Sequence, residues 1–132
     1  EVTLIGDGPL LARLKELATQ CAVTCHFPGR LPQEEVLKTL RQSDVFVLPS
    51  HYEGHPKALI EAMSAGLPVI VSDSPGIREQ VKHYVTGIVV SATINGFRNG
   101  INEFLRMSSD DKAMLGKKGS EWEKKLKAMF LI

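Results

Sequence analysis

The chain reads as an α/β protein, a parallel sheet covered by helices on both faces, and three observations lead there. Short apolar runs alternate with segments of helical period from Val2 to Val90. The apolar runs lack the in–out alternation of a sheet with one wet face, so both of their faces are expected to be covered. Proline and glycine punctuate the segments where helices start and stop, as at Pro32, Pro56, Gly66 and Pro68.

Taken in order, Val2-Thr3-Leu4-Ile5 is a strand, and Pro9 to Gln20 a helix with Leu10, Leu14, Leu17 and Ala18 on one face. Val23 to Phe27 is the second strand, followed by a Pro-Gly loop. Pro32 opens a helix with Val36, Leu37 and Leu40 inward. The third strand is Asp44 to Leu48, and its helix runs from Pro56 to about Ala65, stopped by Gly66 and Pro68. Val69 to Ser72 is the fourth strand; Ser74-Pro75-Gly76 turns into a short helix near Ile77–Lys82, and Gly87 to Val90 is a last short strand. Two helices follow. One spans about Ile94 to Met107 with Ile94, Phe97, Ile101, Phe104 and Leu105 as its apolar stripe. Asp110 or Asp111 caps the other, which runs towards Phe130 with Trp122, Leu126, Met129 and Phe130 as its apolar stripe; Gly116 and Gly119 weaken its middle, where a break is expected.

At 132 residues one domain is the natural count, with the sheet and its loops in residues 1–91 and the last helices in residues 94–132. A content of 43% hydrophobic and 23% charged residues is ordinary globular material. A net charge of +1, without a basic run, gives no field for nucleic acid. Cys21 and Cys25 are spaced neither as a redox pair nor as half of a zinc set, and read as free thiols in a reducing cytosol. His26, His51 and His83 are spread out with no metal-ligand spacing, so no metal is expected. No apolar stretch approaches the ~20 residues needed to cross a membrane, and the start at Glu1 lacks the regions of a signal peptide.

The chemistry concentrates in His51-Tyr52-Glu53-Gly54-His55-Pro56-Lys57-Ala58-Leu59-Ile60-Glu61, directly after the third strand. Pro56 suits the first helical position, where its missing N–H costs nothing. The N–H groups of Lys57, Ala58 and Leu59 then lack intrahelical partners and point outward. A helix start fed by a parallel strand is a ready phosphate site. Glu53 in the loop and Glu61 in the second turn each accept hydroxyl hydrogen bonds. An anion between two hydroxyl acceptors is the shape of a nucleotide sugar. Each residue has a plainer reading: Glu53 a solvated loop acid, Glu61 a partner in a salt bridge, Lys57 a solvated cation. Gly54 admits close approach of a ligand to the backbone.

These residues resemble the Glu-x7-Glu motif of retaining glycosyltransferases of the GT-B fold, the family 4 group, and the likeness runs further. Leu4-Ile5-Gly6-Asp7-Gly8-Pro9 is similar to that family's strand with Gly-x-Gly-Pro, and Phe27-Pro28-Gly29-Arg30-Leu31 to its Phe-x-Gly-x-Leu loop. Asp44 to Ser50 is similar to its Asp-Val-x-Val-x-Pro-Ser strand, and Glu61 to Ile70 to its Glu-Ala-Met-Ala-x-Gly-x-Pro-Val. Two departures stand out. His55 replaces the usual aromatic, and Ser72 to Glu79 carries Pro75 before a single glycine in place of Gly-Gly. Gly6 and Gly8 do not make a dinucleotide fingerprint, because Leu11 stands where a third glycine is needed.

The resemblance implies a Rossmann-like domain, the C-terminal donor-binding half of a GT-B enzyme, with sheet order 3-2-1-4-5-6. It implies that a first strand and helix are missing before Glu1, from the centre of the sheet, together with the acceptor domain and an Arg/Lys pair for the diphosphate. The expected activity is transfer of a sugar from a nucleoside diphosphate sugar to a glycan or lipid-linked acceptor, by a hexosyltransferase that needs no cofactor. Glu53 then orients the donor sugar at the catalytic centre and Glu61 grips the ribose. Gly54, His55, Pro56, Lys57, Ala58 and Leu59 bind the donor, with the N–H groups of the last three at its phosphate, Gly6 lines the cleft, and Arg30 and Leu31 border the base. The expected setting is cytoplasmic, with membrane association decided by the absent half. The chain alone is expected not to transfer sugar. A non-catalytic nucleotide-binding fragment is the alternative, and half of a sugar-nucleotide epimerase a weaker one.

Overall fold

The structure, a computed structural model, describes residues 1–130. The elements are β1 (Val2–Ile5), α1 (Leu11–Gln20), β2 (Cys25–Gly29), α2 (Gln33–Arg41), β3 (Phe46–Leu48), α3 (Lys57–Ser64), β4 (Val69–Ser72), β5 (Ile88–Val90), α4 (Ile94–Arg106) and α5 (Ser109–Phe130). All strand pairing is parallel, in two sheets: β1 with β2, and β3-β4-β5. The chain forms two compact units, residues 1–39 and Leu40 onward.

In the first unit β1 and β2 pair Val2 with Cys25 and Thr3 with His26, then slip register before Ile5 meets Gly29. β2 begins two residues later than expected because Ala22 and Val23 are spent closing α1. The Ala22 N–H donates to the Thr19 carbonyl and the Val23 N–H to the Ala18 carbonyl, a Schellman closure. That closure puts Ala22 at a φ of 51°, a left-handed position usually given to glycine. α1 starts at Leu11, not Pro9, with Leu10 as its N-cap. Its expected apolar face is unburied, Leu10 being 65% exposed. With Leu4 and Ile5, residues Gly6 to Leu11 and Leu14 line a cavity of about 390 Å3. Cys21 and Cys25 are both free.

The second unit holds the core. β4 is the central strand of its sheet, pairing Val69, Ile70 and Val71 with Phe46, Val47 and Leu48 on one side. On its other side Ile70, Val71 and Ser72 pair with Ile88, Val89 and Val90. Ile70, Ile88, Phe104 and Leu115 form a buried cluster, flanked by Val45, Val47, Val90, Phe97 and Met107. α4 is capped by Thr93, whose hydroxyl accepts from the Gly96 N–H at 3.0 Å. Its buried side is narrower than the expected stripe: Phe104 and Gly100 are buried, whereas Ile94 and Leu105 are 79% and 64% exposed. The four-residue step from Gly100 to Phe104 keeps those two on one face, which Leu105 then overshoots.

The segment 77–82, expected as a short helix, is instead a run of turns. Pro75 offers no N–H and Gly76 stands at a φ of 84°, and the bonds that form are those of turns, from the Ile77 and Arg78 N–H groups to the Ser74 carbonyl and from the Gln80 N–H to the Ile77 carbonyl. Tyr84 is left-handed at a φ of 58°. Its hydroxyl donates to Glu103 at 2.5 Å, and that bond, more than burial or charge repulsion, holds the phenol above its ordinary pKa.

α5 differs from expectation at both its start and its middle. Ser108, not an aspartate, is the cap: its hydroxyl accepts from the Asp111 N–H at 3.1 Å and donates to the Asp111 carboxylate at 2.7 Å. The helix then runs unbroken past Gly116 and Gly119. A Cβ at Gly116 would stand 2.1 Å from the Gly66 carbonyl oxygen, so this glycine lets α5 lie directly on the end of α3. Trp122 is half-buried and donates its ring N–H to the Gln80 carbonyl at 2.9 Å, with the Lys82 ammonium 3.8 Å from the ring centroid. Met129, in the same expected stripe, is 61% exposed, and the Phe130 side chain lies outside the described residues.

Two substitutions test this account. Ala22→Gly relieves a left-handed alanine and is expected to stabilise the chain by about 0.5–1 kcal/mol, after the greater freedom of glycine in the unfolded chain is allowed for. Gly116→Ala would gain about 1 kcal/mol from helix propensity alone. Against the Gly66 carbonyl it is expected instead to lose ~2 kcal/mol or more. Urea unfolding of both variants decides the two signs.

Candidate active site

β3 ends at Leu48, and the chain passes through Pro49 and Ser50 into the loop 51–55 before entering α3. Pro56 is the N-cap, not the first helical residue. Its φ of −78° and ψ of 66° make an inverse γ-turn in which the Lys57 N–H donates back to the His55 carbonyl at 2.8 Å. The Pro56 carbonyl accepts the first helical bond, from the Ile60 N–H at 3.0 Å. Of the three expected outward N–H groups, Lys57 is thus already engaged. Ala58 and Leu59 carry the open N–H groups of the first turn, and no side chain caps them. At the other end Gly66, at a φ of 76°, closes α3, its N–H donating to the Met63 carbonyl and that of Leu67 to the Ala62 carbonyl.

Glu53 is held at several points. Its carboxylate accepts from the Ser50 hydroxyl at 2.6 Å, and its N–H donates to the Pro75 carbonyl at 3.2 Å. Its carbonyl presses on Gly76, where a Cβ would sit 1.7 Å from the oxygen. The Ser50 carbonyl itself accepts from the hydroxyls of Ser72 and Ser74, the latter at 2.6 Å. The side chain of Glu53 is half-buried, between exposed Tyr52 and exposed Gly54.

Glu61 lies in the second turn of α3, a helix that buries Leu59, Ala62 and Met63. Its side chain is 16% exposed and pairs with the Lys57 ammonium at 3.6 Å. With the lysine N-terminal to the glutamate this is the weaker orientation of such a pair, and an exposed lysine adds little to it. Arg78 pairs with Asp73 at 3.3 Å in the turn after β4.

The structure therefore gathers Glu53, Gly54, His55, Pro56, Lys57, Ala58, Leu59 and Glu61 at one strand-to-helix junction, at the carboxyl end of a parallel strand. Gly6, Arg30 and Leu31 belong to the first unit. There the Gly6 N–H donates to the Gly29 carbonyl at 2.8 Å, and Arg30 pairs with Asp7 at 2.7 Å. Ser50, Ser72 and Ser74 were not singled out by sequence, since their bonds join positions 22 and 24 residues apart. Among the described residues no cluster of three His, Cys, Asp or Glu side chains could hold a metal, and no helix is long and apolar enough to cross a membrane.

Parallel strands, four of the five followed by a helix, define a Rossmann-like domain of the GT-B glycosyltransferase type. The chain belongs to the family of glycosyl transferases group 1, whose profile matches residues 1–122. It is 32% identical, over 131 residues and 92% of its length, to a GDP-mannose-dependent alpha-(1-6)-phosphatidylinositol monomannoside mannosyltransferase of Mycobacterium tuberculosis. It spans 34% of that enzyme, and the other curated relatives are also longer than it. Sucrose-phosphate synthase from Thermosynechococcus elongatus superposes with a TM-score of 0.84 at 28% identity, over 94% of this chain and 33% of the synthase. HepE of Anabaena, solved in complex with UDP-glucose, shares the fold with a TM-score of 0.83 at 20% identity, over 93% of this chain and 35% of HepE.

Gly76→Ala tests how Glu53 is held. It puts a methyl group onto the Glu53 carbonyl at a backbone angle that alanine resists, and is expected to cost ~2 kcal/mol or more. Amide exchange at Glu53 should accelerate beyond what the global loss of stability accounts for. Unchanged exchange there would mean that the contact does not fix the loop.

Proposed function

We propose that this chain is the donor-binding part of a retaining hexosyltransferase, one that moves a sugar from a nucleoside diphosphate sugar to a glycan or lipid-linked acceptor. The observation that carries the reading is the junction between β3 and α3. The open N–H groups of Ala58 and Leu59 at a helix start suit a phosphate oxygen, and a carboxylate stands on the approach and in the second turn. In this reading Glu61 accepts from the ribose hydroxyls, and Glu53, steadied by Ser50, accepts from hydroxyls of the sugar. Gly54, His55 and Pro56 shape the phosphate approach, Lys57 adds a cation, and Gly6, Arg30 and Leu31 serve the cleft and the base.

The chemistry needs no metal in this proposal, because the charge of the leaving diphosphate is met by helix N–H groups and cationic side chains. HepE binding UDP-glucose and the mycobacterial relative depending on GDP-mannose support a nucleotide-sugar donor. They point to different bases, so the base stays open. Transfer also demands an acceptor held in line with the donor, which is work for a second domain. The chain by itself is therefore proposed to bind donor without transferring sugar, within a cytoplasmic enzyme.

Calorimetric titration of the chain with UDP and GDP tests the reading. One of them should bind saturably, and Glu61→Ala should weaken that binding at least tenfold, ~1.4 kcal/mol. Binding that survives Glu61→Ala would remove the ribose from Glu61. No binding of either nucleotide at millimolar concentration would leave the chain a scaffold without a donor site.

A further inference from the structure

Ser72 and Ser74 are both buried, at 0% and 2% exposure, at the end of the central strand β4. Both hydroxyls donate to one atom, the Ser50 carbonyl oxygen, which has two lone pairs and is filled by them. The hydroxyl of that same Ser50 donates to the Glu53 carboxylate at 2.6 Å. A continuous path of hydrogen bonds thus leads from the core to the loop acid: two buried hydroxyls fix the Ser50 peptide, and Ser50 fixes one oxygen of Glu53. The Ser72 hydroxyl has a second acceptor, the Leu48 carbonyl at 3.4 Å, whereas Ser74 has Ser50 alone as its hydroxyl's acceptor among the described bonds. One hydroxyl donor on Oε1 also leaves a carboxylate with acceptor sites for a ligand.

We propose that Ser74, with Ser72 and Ser50, is a positioning residue for Glu53, and that this serine clasp sets recognition of the sugar half of the donor and not of its nucleotide half. The inference rests on the donor-site reading above. It goes beyond it by assigning the discrimination to residues that touch no substrate. The nucleotide half is bound by Ala58, Leu59 and Glu61, which lie on α3 and form no part of the clasp. Releasing the clasp frees the Glu53 carboxylate to turn while α3 keeps its start.

The test compares affinities for a free nucleoside diphosphate and for its sugar ester, using UDP with UDP-glucose and GDP with GDP-mannose. Ser74→Ala is expected to lose about tenfold in affinity for the sugar ester. Its affinity for the matching diphosphate should stay within about twofold of the parent's, and Ser74→Thr, which restores the hydroxyl, should recover the sugar ester. Ser50→Ala keeps the buried hydroxyls and removes only the last link, so it should show the same split even if the Ser74 variant folds poorly. Equal losses for ester and diphosphate would make the serines merely structural and overturn the proposal, as would no change in either affinity. If the parent chain binds diphosphate but gains nothing from the sugar, the clasp fails while the nucleotide site stands. If the parent binds neither, the donor-site reading fails and takes the clasp with it.

Discussion

A strand whose four side chains are all withdrawn from water needs covering on every side, and β4 has it. Val69, Ile70 and Val71 are fully buried, β3 and β5 use both of its edges, and Ile70 packs in the cluster that includes Phe104 of α4 and Leu115 of α5. Burial of such branched side chains contributes about 1.5–3 kcal/mol each. The consequence reaches beyond stability. Where β4 ends, Ser72 is fixed by its place in the ladder, and the turn that carries Ser74, Pro75 and Gly76 begins from a rigid point. The loop after β3 is then measured against that turn, through the Ser50 carbonyl, the Glu53 N–H and the face of Gly76.

Charge is used sparingly at the junction. The Lys57 side chain is engaged by Glu61 and its N–H by the His55 carbonyl, so the start of α3 presents two N–H groups in place of three. A ligand phosphate entering there would compete with Glu61 for the lysine, and a ribose with the lysine for Glu61. The second exchange trades a solvent-screened ion pair for bonds made to a partly buried carboxylate. Glu53 and Glu61 are thus each engaged by a neighbouring side chain, Ser50 and Lys57 respectively.

Much of this was legible in the chain itself. β4 was read with its true ends because an apolar run stood between the Gly66–Pro68 stop and polar Asp73. The strand, loop and helix that carry Glu53 and Glu61 were legible because an apolar run, a glycine-containing loop and a proline entry follow one another there. What escaped reading depended on partners far along the chain. Gly116 resembles a helix breaker until the Gly66 carbonyl lies beside it, fifty residues distant in sequence. The serine hydroxyls look like groups bound for water until the pairing of β3 with β4 brings the Ser50 carbonyl to them. Local alternatives of similar energy account for the rest: Pro56 is compatible with the cap and with the first turn, and Ser108 competes with two aspartates for the same helix end.

α5 rests on the closing turn of α3 at Gly116, and its opposite face carries Lys117, Lys118, Lys124 and Lys125 in exposed positions. The helix is thereby divided lengthwise into two histories. On the lysine face almost any residue would serve, and drift there leaves the fold untouched. On the glycine face a single methyl group has no room, so change could enter only with a compensating shift of the helix axis. A lineage could recast the charge of this surface many times over while α5 kept the same seat against α3.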